Sequence, residues 1–124
     1  MHSDTKYDEN NIFAKILRGE IPCQKVDECA HTLSFQDINP QAPIHILVIP
    51  KGAYKDMDDF SEQASAEEQA AFIAAIGRVA RAAGLAADGY RVISNIGQNG
   101  HQEVPHLHMH VLGGGPIGRL VTCN

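Results

Sequence analysis

The sequence predicts an α+β fold, an antiparallel five-stranded meander sheet packed by two helices in the order α-β-β-β-α-β-β. Three observations carry this prediction. Apolar residues recur at helical spacing around residues 12–17 and again over 65–84. Five short runs of β-branched and apolar residues lie between and after those stretches. The links between most neighbouring runs are tight, which favours antiparallel pairing.

The elements follow in order. Residues 1–10 are polar and patternless and read as a frayed leader. Asn11 can cap a short helix whose apolar positions are Ile12, Phe13, Ile16 and Leu17, and Gly19 stops it. Lys25 to Cys29 and Thr32 to Phe35, separated by Ala30-His31, suit a hairpin. Ile44 to Ile49 is nearly all apolar and ends at Pro50, as a strand buried on both faces would. Ser65 with Glu68 three residues on is a capping-box pattern, opening a helix with a stripe of Phe72, Ile76 and Val79. Gly84 suits its left-handed end. Tyr90 to Ser94 and His106 to Leu112 supply the last two strands.

Composition narrows the function classes. At 124 residues the chain makes one domain, and 44% hydrophobic residues suffice for one core. A net charge of -5 repels a nucleic-acid backbone, so no nucleic-acid partner is expected. No apolar run reaches the length of a membrane span, and the N-terminus carries no signal-peptide apolar region, so neither a membrane nor export is expected. Three cysteines, Cys23, Cys29 and Cys123, form no CxxC pair and read as reduced thiols of a cytoplasmic protein.

The chemistry concentrates in His106, His108 and His110, which alternate with Leu107, Met109 and Val111. At period two a strand sends the histidines to one face and the apolar residues to the core. Three readings are open. Imidazoles on alternate strand positions can share a metal ion, although only Glu103 or His101 is near as a fourth ligand. They can decorate a polar face and do nothing. Or one neutral ring can attack while a second donates a proton. The glycines at 97, 100 and 113–115 would let backbone amides approach an anion, although ordinary turns use glycine as often. Asn95 can offer its amide to phosphate oxygens, and His45 is placed to support a histidine from behind.

The run His106-Leu-His108-Met-His110-Val-Leu112 resembles the signature of the histidine triad (HIT) superfamily. Asn11-Ile-Phe-Ala-Lys-Ile-Leu-Arg-Gly-Glu-Ile-Pro22 is similar to the family's first helix, and Phe35 to Lys51 to its central segment. The likeness runs from about Asn11 to Gly114. It divides the chain into a flexible leader (1–10), a HIT domain (11–115) and a short tail (116–124). Within the superfamily the chain most resembles the Hint branch, the purine nucleoside phosphoramidases. Asn95 stands where the Fhit branch, which cleaves dinucleoside polyphosphates, would have glutamine.

The resemblance implies a hydrolase that cleaves the P–N bond of purine nucleoside 5′-phosphoramidates and releases a nucleoside monophosphate. His108 would be the nucleophile, forming a nucleotidyl-histidine intermediate. His110 would stabilise the phosphate oxygens, Asn95 would also meet phosphate, and His106 and His45 would fix tautomers and ring orientation. Asp37 would take the ribose hydroxyls. Ile12, Phe13, Ile16, Phe35 and Ile38 would form the purine slot, although plain core explains Ile16 and Phe35 equally well. His101, Gln102, Glu103 and Val104 would flank the nucleotide. The resemblance also implies an AMP-like substrate, a homodimer with a sheet extended across the interface, and no cofactor. Relatives with zinc carry Cys-x-x-Cys in the first helix; Asn11 and Ala14 break that pattern, so no metal is expected. His101 replaces a frequent glycine and Pro105 a frequent aromatic, while Glu103 stands where some members have serine. The alternatives are a dinucleoside polyphosphate hydrolase on the same fold, a metal-dependent hydrolase, and a nucleotide-binding or scaffold protein whose hydrolysis is incidental.

Overall fold

The computed structural model describes residues 6–119. Helix α1 spans Ile12–Leu17, and strands β1 (Lys25–Glu28), β2 (Thr32–Gln36) and β3 (Ile44–Pro50) follow. Then come helices α2 (Met57–Gln63) and α3 (Ala66–Ala82) and strands β4 (Arg91–Ile93) and β5 (Met109–Gly113). The α+β class and the five-stranded antiparallel sheet are as the sequence predicts.

Three details depart from that prediction. The strand order is β1-β2-β3-β5-β4, so β5 lies where a meander would put β4. β3 is central in either order and is buried along nearly its whole length. What changes is that β5, buried at all but one residue, takes the inner place, while the short, partly exposed β4 takes the edge. A third helix, α2, precedes α3. Asp56 caps it, accepting from the Asp59 amide at 2.8 Å, but Phe60 is its one buried residue, so it has no periodic stripe to read. Finally, β5 begins at Met109 rather than His106, because the preceding stretch turns aside. The His106 amide donates to Val104 and the Leu107 amide to the Tyr54 carbonyl.

Alternation along the central strands divides the core. Ile46 and Val48 of β3, with Met109 and Val111 of β5, pack on Phe72, Ala75, Ile76 and Val79 of α3. Leu47 and Ile49, with Leu33 and Phe35 of β2, pack on Phe13 of α1. Helices α2 and α3 therefore cover one face, and the shorter α1 covers only part of the other. The uncovered part of that face is where His45 and His110 point. Ser65 closes the expected capping box on α3, with its hydroxyl 3.1 Å from the Glu68 amide and the Glu68 carboxylate 3.0 Å from the Ser65 amide. Among the described residues no helix is long and apolar enough to cross a membrane.

Candidate active site

A cleft of about 610 Å³ opens between α1, the β2–β3 turn and the loop from Asn95 to Val104. His108, His110, His45, Asp37 and Asn95 line it. Ile12, Phe13, Ile16, Phe35 and Ile38 form its apolar wall. His101, Glu103 and Val104 stand along the loop side. Of the residues that the resemblance places beside the nucleotide, Gln102 lies outside the cleft, and His106, expected to orient the other rings, lies behind them. His106 is wholly buried behind Phe13, with ring centroids 6.4 Å apart. Gln102 staples the loop instead: its amide donates to the carbonyls of Lys55 and Val104 and its oxygen accepts from the Gly97 amide. Phe13 and Phe35 are at once wall and core, packed edge to face at 5.7 Å.

Hydrogen bonds to backbone groups assign the histidine tautomers. Nδ1 of His108 lies 2.7 Å from the His106 carbonyl oxygen. A carbonyl only accepts, so Nδ1 carries the proton and Nε2 keeps its lone pair. Nδ1 of His45 accepts from the Gln41 backbone amide at 3.0 Å, so the His45 proton sits on Nε2. That Nε2–H lies 2.9 Å from Nδ1 of His110 and 3.3 Å from the Asp37 carboxylate. His110 Nδ1 is then an acceptor, and its own proton is on Nε2. One imidazole of the cleft thus keeps a lone pair on Nε2 and the next carries its proton there, 5.0 Å apart between ring centroids.

Burial also keeps these rings neutral. It is the main cause lowering His108 and His45 below the ordinary imidazole value, and it brings His106 and His110 down to about 4, neighbouring imidazoles adding to the effect. Phe13 contributes directly to this, its ring standing edge-on to His108 at 4.9 Å.

The cleft's other polar groups divide between chain geometry and chemistry. One Asp37 oxygen accepts from the Asn39 amide at 2.8 Å, an Asx-turn, while the other faces His45. Gly100 is explained by packing, since a Cβ there would come within 2.5 Å of the Ile96 carbonyl oxygen. His101 adopts φ +57°, the left-handed region that favours glycine, and its ring lies 3.3 Å from Glu103 at the exposed rim.

Among the described residues, Asp37, His45 and His110 bring their ligand atoms within 4.8 Å of one another. The donor set does not suit an ion. His45 would have to bind through Nε2 while its Nδ1 accepts from Gln41, leaving a ring with no proton. The triad offers no better set, because both ring nitrogens of His106 are engaged.

Two contributors escape sequence reasoning. Gln41 acts through its backbone amide, which has no residue-type signal. Tyr7 lies in the stretch read as leader, yet its hydroxyl is 2.6 Å from His106 Nδ1. The wall also includes Ile21, Pro22 and Cys23, just beyond α1.

An antiparallel α+β fold with His108 and His110 lining a cleft on the sheet and His106 buried behind them defines a class. The chain belongs to the HIT family: the HIT domain model matches residues 18–117. It is similar to an uncharacterized 13.2 kDa HIT-like protein of Azospirillum brasilense, 62% identical over 94% of this chain and 95% of that one. It is also 44% identical to the purine nucleoside phosphoramidase of Escherichia coli, over 92% of this chain and 95% of the relative. Among solved structures, a HIT family hydrolase from Legionella pneumophila aligns with TM-score 0.82 and 40% identity, over 88% of this chain and 96% of that one.

Proposed function

We propose that this protein hydrolyses the P–N bond of purine nucleoside 5′-phosphoramidates, adenylylated amines among them, and releases a nucleoside monophosphate. The observation that carries the reading is the hydrogen bond from His108 Nδ1 to the His106 carbonyl, which leaves Nε2 as a lone pair in a cleft-lining ring. Nε2 attacks phosphorus; the P–N bond breaks, and its electron pair leaves with the amine, which takes a proton from solvent. Water then attacks phosphorus and gives up a proton to solvent, the His108–phosphorus bond breaks with its electron pair returning to Nε2, and neutral His108 is restored. His110 donates from Nε2 to the phosphate oxygens as charge builds on them. Asn95 donates its amide to the same group. Asp37 accepts from the ribose hydroxyls, and the purine enters the slot between Ile12, Phe13, Ile16 and Ile38. The name of the 44% identical relative supports this choice of substrate.

The reading includes a homodimer. Strand β4 ends the sheet, and Tyr90, Val92 and Ile96 beside it are exposed apolar residues that a second copy would cover. Sedimentation at micromolar concentration tests this, with a monomer as the contrary result.

The direct test of activity compares an adenosine 5′-phosphoramidate of an alkylamine with a diadenosine polyphosphate, in EDTA, for wild type and His108→Ala. Amide cleavage that persists in EDTA and disappears in the variant is expected. Preference for the polyphosphate would favour the other hydrolase reading. AMP binding without turnover of either compound would favour a binding module.

A further inference from the structure

The segment preceding α1 reaches the histidine site through one side chain. Tyr7 is half-buried, its ring edge-on to His106 at 5.7 Å between centroids and its hydroxyl 2.6 Å from His106 Nδ1. The other ring nitrogen of His106, Nε2, lies 2.9 Å from the Pro50 carbonyl oxygen. A carbonyl only accepts, so the proton is on Nε2 and Nδ1 is a buried lone pair that only a donor can satisfy. Tyr7 is that donor. Burial, first among the causes, raises its phenol above the ordinary value, so the proton stays on at neutral pH. Asn11 orients the hydroxyl: its amide donates to the Tyr7 oxygen at 2.9 Å, which turns the O–H toward His106. Asn11 is itself held, since its side-chain oxygen caps α1 by accepting from the Ala14 amide at 2.9 Å.

His106 is therefore gripped at both ring nitrogens, and its own backbone carbonyl is the acceptor for His108 Nδ1. The ring cannot rotate without losing a buried hydrogen bond, and the backbone it anchors cannot turn its carbonyl away from His108. Phe13, packed between α1 and both rings, transmits the same constraint sterically.

We propose that Tyr7 is a positioning residue, clamping His106 so that its carbonyl holds His108 in the Nδ1–H tautomer with Nε2 free to attack. The proposal rests on the reading of His108 as nucleophile, and it makes the segment before α1 part of the site. Tyr7→Phe in the full-length chain tests it, because the ring contact is kept and only the hydroxyl is lost. Nitrogen–proton correlation spectra of the imidazoles at pH 7.5 report the His106 and His108 tautomers. Steady-state kinetics on an adenosine 5′-phosphoramidate report kcat and KM separately.

The expected result is a His108 signal that becomes a mixture of tautomers. With it, kcat falls by about tenfold while KM stays within about twofold. A His108 tautomer unchanged from wild type overturns the proposal whatever kcat does, since Tyr7 would then only tie down the chain. A shifted tautomer with wild-type kcat overturns it too. Should wild type fail to cleave the phosphoramidate, that failure belongs to the proposed activity, and the tautomer shift alone decides the role of Tyr7.

Discussion

His45 and His110, 65 positions apart in the chain, share a hydrogen bond of 2.9 Å between ring nitrogens. The β3–β5 register sets it up: His110 pairs with Leu47, two residues from His45, so the two rings are diagonal neighbours on one face of the sheet. Because Gln41 donates to the far side of His45, the proton in this bond belongs to His45, and His110 presents its own proton to the cleft. A backbone amide in the β2–β3 turn thus decides which His110 nitrogen is a donor.

Removing that donor has a defined cost. His110→Ala is expected to lower kcat about 100-fold or more, the effect of losing one donor aimed at developing charge. AMP binding by calorimetry should weaken far less. Equal losses in binding and in kcat would show that His110 does no more than hold the ground state.

Asp37 divides its carboxylate between the Asn39 amide and His45 and faces the cleft. Asp37→Asn should raise KM for an adenosine phosphoramidate by about tenfold. For the 2′,3′-dideoxy analogue the same substitution should change KM little. An identical change on both substrates would remove the ribose from its role.

The pH dependence follows from burial. His108 titrates below the ordinary 6.5, so its lone pair persists as pH falls through that value. The acid limb of kcat/KM should therefore lie below pH 6.5, and a limb centred at or above that value would contradict it. Stability should follow the same groups. The unfolded histidines take up protons below 6.5, while folded His106 and His110 stay neutral down to about 4. Their contribution is whole above pH 6.5 and is lost as pH falls toward 4. Thermal midpoints measured from pH 7.5 to 4.5 check this, and a profile without a fall would contradict it.

The loop that carries Asn95 is held by close backbone packing. In Gly100→Ala the new Cβ would come 2.5 Å from the Ile96 carbonyl oxygen and 2.7 Å from its amide nitrogen, so the backbone must shift. The value of kcat/KM should fall by about tenfold, because small displacements of positioning groups are costly. Circular dichroism should show the helices intact.

On the far face of the sheet, Ser65→Ala removes one half of the α3 capping box. It should lower stability by about 1 kcal/mol without altering kcat. Urea titration and steady-state kinetics together check both halves of that statement.

Local pattern alone determined a good deal here. Within β5 the period-two alternation holds, with Met109 and Val111 in the core and His110 in the cleft, whereas His106, ahead of the strand, is as fully buried as Leu107. The capping signals at Asn11 and Ser65 and the apolar run of β3 are equally local, since each depends on residues within a turn or a strand of one another. Helix α2 was not legible, because one buried Phe60 makes no period.

What only the tertiary structure decided depends on groups far apart in the chain or without a side-chain signal. The place of β5 beside β3 goes with burial of β5 itself, which leaves the short, partly exposed β4 at the edge, and no local spacing encodes that exchange. Proton placement on the histidines was decided by the carbonyls of His106 and Pro50 and the amide of Gln41, and every residue type carries those same backbone groups. Tyr7 entered the site because α1 packs over the sheet and brings the preceding segment onto His106, 99 residues away. Sequence names the residues able to do this chemistry; folding selects which nitrogen of each will do it.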